Sequence, residues 1–216
     1  MKYKHGKNLK IISKRSVFID DTVVIGDNVT IYENNRLEGN TVIGDNVVVL
    51  PNNYLIDTKV GDGTIINHSQ SEKADIGNNC NVGPFARLRP NAKLCDNVHV
   101  GDFVEIKNAT LGEGTKANHL AYIGDADIGK ECNIGCGAIF VNYNGKIKQR
   151  TTVGDNSFIG SNCNIIAPVN IESNTFICAG TTVTSDVNED DFVIGRVRQE
   201  TKEHRAHEYL KKIIKK

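Results

Sequence analysis

Residues 23–49 read VVIGDNVTIYENNRLEGNTVIGDNVVV, and Ile25, Ile31, Leu37, Ile43 and Val49 fall six residues apart. Four residues after several of these stands a small side chain, as at Val29, Thr41 and Val47. The same beat continues through Val60-Gly61, Ile76-Gly77, Val100-Gly101, Ile123-Gly124, Ile134-Gly135 and Ile159-Gly160. A period of six marks a parallel β-helix, in which each hexapeptide supplies one short strand and one corner. The aliphatic points inward, and the small residue fills the crowded interior beside the turn. Asparagine, aspartate and glycine gather at the corners because they tolerate left-handed backbone. Three faces make a coil of about 18 residues, so residues 23–195 hold nine to ten coils. Five-residue slips at Ile106–Thr110 and Ile123–Asp127 shorten a corner without losing phase. No long 3.6-residue stripe precedes Gln199, which excludes a helical globule.

Outside that span, residues 1–22 read as a lead-in, and 141–152 (VNYNGKIKQRTT) interrupt the phase as a projecting loop. Loops thrown out from a rigid scaffold are common places for binding residues. Residues 196–216 form a tail with eight Lys or Arg and three Glu, and a helix is expected over Gln199–Ile214. The whole chain of 216 residues carries 26 basic and 26 acidic side chains. That balance argues against coating nucleic acid or anionic membrane. No apolar run approaches the ~20 residues of a membrane span, and no apolar stretch follows the basic start, so a soluble cytoplasmic protein is expected. The six cysteines form no CxxC pair, and Cys80, Cys132 and Cys163 occupy the small inward position, so no metal is expected. The segment Gly124–Glu131 nearly spells a P-loop, but Glu131 replaces the magnesium-binding hydroxyl and the segment lies inside the repeat.

Stacking arithmetic brings distant residues together, because successive coils lie about 4.8 Å apart. Arg89 and Lys107 are 18 apart, each directly after an inward aliphatic. Two stacked cations either spread into solvent or jointly grip an anion such as a phosphate. Counting through the slip puts Glu105 and Tyr122 at equivalent positions of one face, with His119 three residues earlier on that face. A carboxylate beside an imidazole suits a general base. The other histidines lack such company; His68 and His99 are expected to have no stacked partner.

At these residues the chain resembles the C-terminal acetyltransferase domain of the bifunctional GlmU family. The likeness rests on GPFARLRP (83–90), GDFVEIK (101–107), GTKANHLAYIGDA (114–126), NYNG (142–145), IGS (159–161) and APV (167–169). It runs from about residue 10 to 203. The resemblance implies an all-β, left-handed parallel β-helix with a short helical tail, and a homotrimer with sites at subunit junctions. It implies acetyl transfer from acetyl-CoA to glucosamine 1-phosphate, a step toward UDP-N-acetylglucosamine and cell-envelope polymers, with no metal. His119 is then the general base and Glu105 its orienting carboxylate. Arg89, Lys107 and Lys148 hold the sugar phosphate, and Tyr122 and Asn133 contact the sugar. Cys136, Asn142, Tyr143, Ser161, Ala179 and Arg196 bind acetyl-CoA. Cys136 stands where the family commonly has alanine. Ala138, Phe140, Val141 and Asn144 also depart from the usual residues, which bears on CoA fit. The nucleotidyltransferase half of GlmU has no counterpart in these residues, so a separate protein is expected to supply uridylyl transfer.

Three other readings compete: acyl transfer to another amino sugar or sugar nucleotide, a metal-dependent hydratase like the gamma carbonic anhydrases, and a non-catalytic β-helix. The hydratase needs three histidines meeting at a junction, and only His119 has suitable neighbours.

Overall fold

The computed structural model describes residues 3–214. Its 29 short strands and single helix form a parallel β-helix with three faces per coil. Ten strands, from Lys4–His5 to Asn170–Ile171, make the first face, and Val187 bridges Ile171 as a further rung. The second and third faces register as one 19-stranded sheet, because two long strands, His99–Lys107 and Lys116–Gly124, run across the corner between them. The expected lead-in is itself a coil: Lys4–His5, Lys10–Ile11 and Phe18–Ile19 pair with Val24–Ile25, Thr30–Ile31 and Arg36–Glu38. The solenoid therefore begins before residue 23.

The hexapeptide rule places the core correctly. Ile25, Ile31, Leu37, Ile43 and Val49 are buried, as are Cys80, Cys132 and Cys163 at the small position. Each buried aliphatic is worth about 1.5–3 kcal/mol. Burial pushes the Cys80 thiol up to about 11, and raises those of Cys132 and Cys163. Polar residues share the core, Asn35 and Asn53 among them. The Asn35 side chain donates to the Tyr32 and Leu50 carbonyls at 2.9 Å and accepts from the Asn53 amide at 2.8 Å. Asn53 in turn accepts from the Ser69 amide at 2.8 Å, so these buried amides stitch a corner that no aliphatic can satisfy.

The corners stack as columns. Between the first and second faces, the amides of Asp27, Asp45, Asp62 and Asn78 each donate at 2.7 Å to the carboxylate or amide oxygen one coil on. The next residues, Asn28, Asn46, Gly63 and Asn79, hold φ between 52° and 68°. At the corner between the second and third faces the column changes character. His68, Phe85, Phe103 and Leu120 follow one another, all at positive φ. His68 contradicts the expectation that it lacks a stacked partner. Its Nε2 lies 2.6 Å from the Asn52 amide and its ring packs edge-on against Phe85 at 5.5 Å. The slip hides this neighbour, because His68 and Phe85 are 17 residues apart.

The projecting loop spans 142–150, since Val141 ends the strand Ile139–Val141 and Thr151 begins Thr151–Val153. It is a small hairpin with Tyr143 and Lys148 bridged, and Asn144 Oδ1 accepts from the Lys146 and Ile147 amides at 3.0 Å. The tail helix α1 covers Ala206–Ile214, starting later than expected because His204 holds φ 58°, outside the helical region. Among the described residues no helix is long and apolar enough to cross a membrane.

Close approach at the corners decides which glycines are needed. A Cβ on Gly77 would lie 2.7 Å from the Cys95 carbonyl carbon and 2.8 Å from its oxygen. Gly77→Ala is therefore expected to destabilise the fold by about 1–3 kcal/mol, read as a lower urea midpoint at unchanged slope.

Candidate active site

The expected residues fall into three groups, each set by its place on the prism. The first occupies the third face. Arg87 pairs in register with Glu105, and Glu105 with Tyr122, as the slip predicts. Arg89 and Lys107 follow on the same rows. Neither cation is bare: Arg89 Nη1 donates to Glu105 Oε1 at 2.7 Å, and Lys107 Nζ lies 3.3 Å from Asp125 Oδ2. The hydrogen bond and charge of Glu105 raise the Arg89 guanidinium further above its ordinary value. The mutual repulsion expected of stacked cations is thus relieved by carboxylates of the chain itself.

Asp125 joins the candidate residues, and the sequence reading missed it. It is buried at a corner with φ 48°. Its carboxylate accepts from Asn108 Nδ2 at 2.5 Å, from Lys107 and, closely, from Asn142 Nδ2. Burial pushes its carboxyl up, but the two amides and the ammonium outweigh that and hold it below the usual carboxylate range. Asn142 Nδ2 also reaches the Tyr122 hydroxyl at 3.5 Å. The signal was available in the 17-residue step, which sets Asp125 above Asn108 just as Gly124 sits above Lys107.

The second group lies along the corner between the second and third faces. Leu120 at φ 36° turns the chain between His119 and Tyr122. His119 therefore sits at the corner rather than on the face of Glu105 and Tyr122, exposed and in register with Asp102. No hydrogen bond joins it to Glu105, whose carboxylate is taken by Arg89. Extending the ladders Lys116↔Asn133, Asn133↔Phe158 and Phe158↔Phe176 sets His119, Cys136, Ser161 and Ala179 one above another. The amide bonds agree: Asn162 N–H donates to the Cys136 carbonyl and Gly180 N–H to that of Ser161, both at 2.8 Å. Arg196 closes the column, its Nη1 donating to the Ala179 carbonyl at 2.8 Å. At about 4.8 Å per coil, this row is an extended track along one edge.

The remaining residues stand apart. Asn133 lies half-buried on the second face, in the row of Lys116 and Phe158. Tyr143 and Lys148 are bridged to each other on the loop, and both are exposed. Beside the corner, a cavity of about 430 Å³ is lined by Phe103, Glu105, Leu120, Tyr122 and Ile139. A larger one of about 640 Å³, by Lys59, Asp75, Lys93 and Cys95, touches none of the expected residues. Among the described residues no group of His, Cys, Asp and Glu could hold a metal ion.

Comparison with known proteins bears on this arrangement. The model of the bacterial transferase hexapeptide family (six repeats) matches residues 22–57, 73–108 and 150–185. The bifunctional protein GlmU of Clostridium beijerinckii is 47% identical over 189 residues, covering 88% of this chain and 42% of that protein. GlmU of a Geobacillus species is 45% identical over 202 residues, covering 93% of this chain and 44% of that protein. The chain thus spans less than half the length of these curated relatives. Among solved structures, a perosamine N-acetyltransferase mutant from Caulobacter crescentus, in complex with CoA and GDP-perosamine, matches at 23% identity and TM-score 0.44. That match covers 51% of this chain and 52% of the other.

Cys136 is exposed, whereas Cys80, Cys132, Cys163 and Cys178 are buried. With its thiol at about 11, Cys80 is thiolate to roughly one part in a thousand at pH 8. Iodoacetamide at pH 8 is expected to modify Cys136 first and to leave Cys80, Cys132 and Cys163 unmodified in the folded protein, read by peptide mass spectrometry.

Proposed function

The chain belongs to the bacterial transferase hexapeptide family, and from that premise we propose that it acetylates the amine of glucosamine 1-phosphate, using acetyl-CoA. The observation that carries this reading is the single column His119–Cys136–Ser161–Ala179, closed by Arg196, beside a face bearing paired cations. An imidazole at one end of an extended track suits a long thioester laid along the edge, with its acetyl group beside the base. Acetyl-CoA supplies the acyl group, and this chain's residues place it and move the proton.

His119 accepts a proton from the sugar amine as the nitrogen bonds to the acyl carbon, and the carbon–sulfur bond breaks. The thiolate released takes up a proton to leave as CoA thiol. Within the described residues the Cys136 amide donates to no acceptor, so it is free to donate to the acyl oxygen as negative charge develops there. Arg89 and Lys107 grip the phosphate, and Glu105 serves by holding the Arg89 guanidinium. Tyr122 and Asn133 contact the sugar, Lys148 reaches the phosphate from the loop, and Asn142 and Tyr143 border the CoA track.

Asn133 and Tyr122 lie on faces that meet at a convex edge, so one chain cannot wrap both around a single small sugar. A junction between copies resolves this. Phe85, Phe103 and Leu120 are 54%, 62% and 57% exposed along that edge, in backbone conformations unfavourable for large side chains. Burying them against neighbouring chains offsets both costs, which supports an oligomer, and the resemblance to GlmU makes that oligomer a homotrimer. Sedimentation is expected to give three times the 23.7 kDa chain mass. Phe103→Asp is expected to give monomers without turnover.

Acetyl-CoA-dependent thiol release with glucosamine 1-phosphate, run beside glucosamine 6-phosphate, tests the acceptor. Turnover confined to the 1-phosphate, and reduced about 10²–10⁴-fold in His119→Ala, is the expected result. Equal turnover with both sugars overturns the acceptor, and full activity in His119→Ala overturns the base.

A further inference from the structure

Corner columns in this solenoid usually pass hydrogen bonds in one direction. Asn8 donates its side-chain amide to Asn28, and Asn28 to Asn46. Asp125 breaks that pattern, because a carboxylate only accepts. It receives Asn108 from the coil below and Asn142 from the coil above, with Lys107 reaching both of its oxygens at 3.3 and 3.4 Å.

Asn142 is also where the chain leaves the solenoid to form the loop. The returning end is held on the same segment: the Thr151 amide donates to the Asp125 carbonyl at 3.1 Å. The Arg150 guanidinium grips the Asp127 carboxylate and donates to the Asn108 carbonyl at 2.9 Å. Residues 125–127 thus hold both feet of the loop, and one of the two carboxylates doing so also holds Lys107.

We propose that Asp125 is a positioning residue that couples the phosphate-binding cation Lys107 to the base of the 142–150 loop. This rests on the acetyltransferase reading for its kinetic consequence, but not for the clamp itself. A carboxylate is required because an asparagine presents only one acceptor oxygen, and its amide would face a donor. Replacing it leaves either Asn142 or Asn108 opposed by a like group, and removes the charge that fixes the ammonium.

The test compares Asp125→Asn, Asn142→Ala, Lys107→Met and the Asp125→Asn/Lys107→Met double variant, each as the full chain. Hydrogen–deuterium exchange without ligand is expected to quicken about tenfold across 142–150 in Asp125→Asn, with or without Lys107→Met, and in Asn142→Ala. In steady-state kinetics, Asp125→Asn is expected to raise the KM for the amino-sugar phosphate about tenfold with a smaller change in kcat, and by less than about twofold once Lys107 is methionine. Unchanged loop exchange in both Asp125→Asn and Asn142→Ala overturns the clamp. A KM effect that persists in full without Lys107 overturns the coupling. Absence of acetyl transfer by the wild type would defeat the functional reading alone, since exchange still decides the clamp.

Discussion

The hydrogen bond from one coil's amide to the next coil's carbonyl is the constraint on which this molecule depends. It brings backbones to a spacing of about 4.8 Å all round the prism, corners included. The corners then admit only residues that turn left-handed or lack a Cβ in the way, and the interior only side chains that fit a narrow triangle. Hence the Asn and Gly columns, the alternation of large aliphatic with small Val, Thr, Cys or Ala, and the low aromatic content. Buried Asn35 and Asn53 show the same demand met by polar groups, because a corner carbonyl without a strand partner still needs a donor.

The same stacking brings candidate site residues distant in sequence together. His119, Cys136, Ser161 and Ala179 lie far apart along the chain yet form one edge. Arg89, Glu105 and Lys107 likewise share a face, with Asp125 at the adjoining corner, and their charges alternate in space. That alternation lets two cations await an anion without repelling each other, at the cost of an exchange of partners when the anion arrives. A rigid prism also presents only convex edges, which is why the proposed sugar contacts on two faces call for neighbouring copies, and why the exposed Phe85, Phe103 and Leu120 edge matters to the site as well as to assembly.

Projection of the loop is the one large departure from the repeat. It leaves the prism where an asparagine would otherwise continue a corner column, and the free corner valences are taken up by Asp125, Asp127 and Arg150. The irregular segment is therefore seated on charge-assisted contacts as well as on the coil-to-coil amide bond at Thr151.

The period of six, the inward aliphatics, the burial of three cysteines and the 17-residue steps at Glu105 and Tyr122 were all legible in the sequence, because a solenoid reports its geometry as simple spacing. The resemblance supplied the candidate site residues, and also the hand of the coil that spacing cannot. What the tertiary structure decided was pairing. Glu105 binds Arg89 rather than His119, because a left-handed Leu120 turns the histidine onto the corner. His68 gains an edge-on ring through a 17-residue step that a count of 18 passes over, and Lys107 gains Asp125, which stands 18 residues on at a left-handed corner. Periodicity specifies which way each side chain points, but partners depend on accumulated slips and corner angles, and those exist only once the coils are stacked.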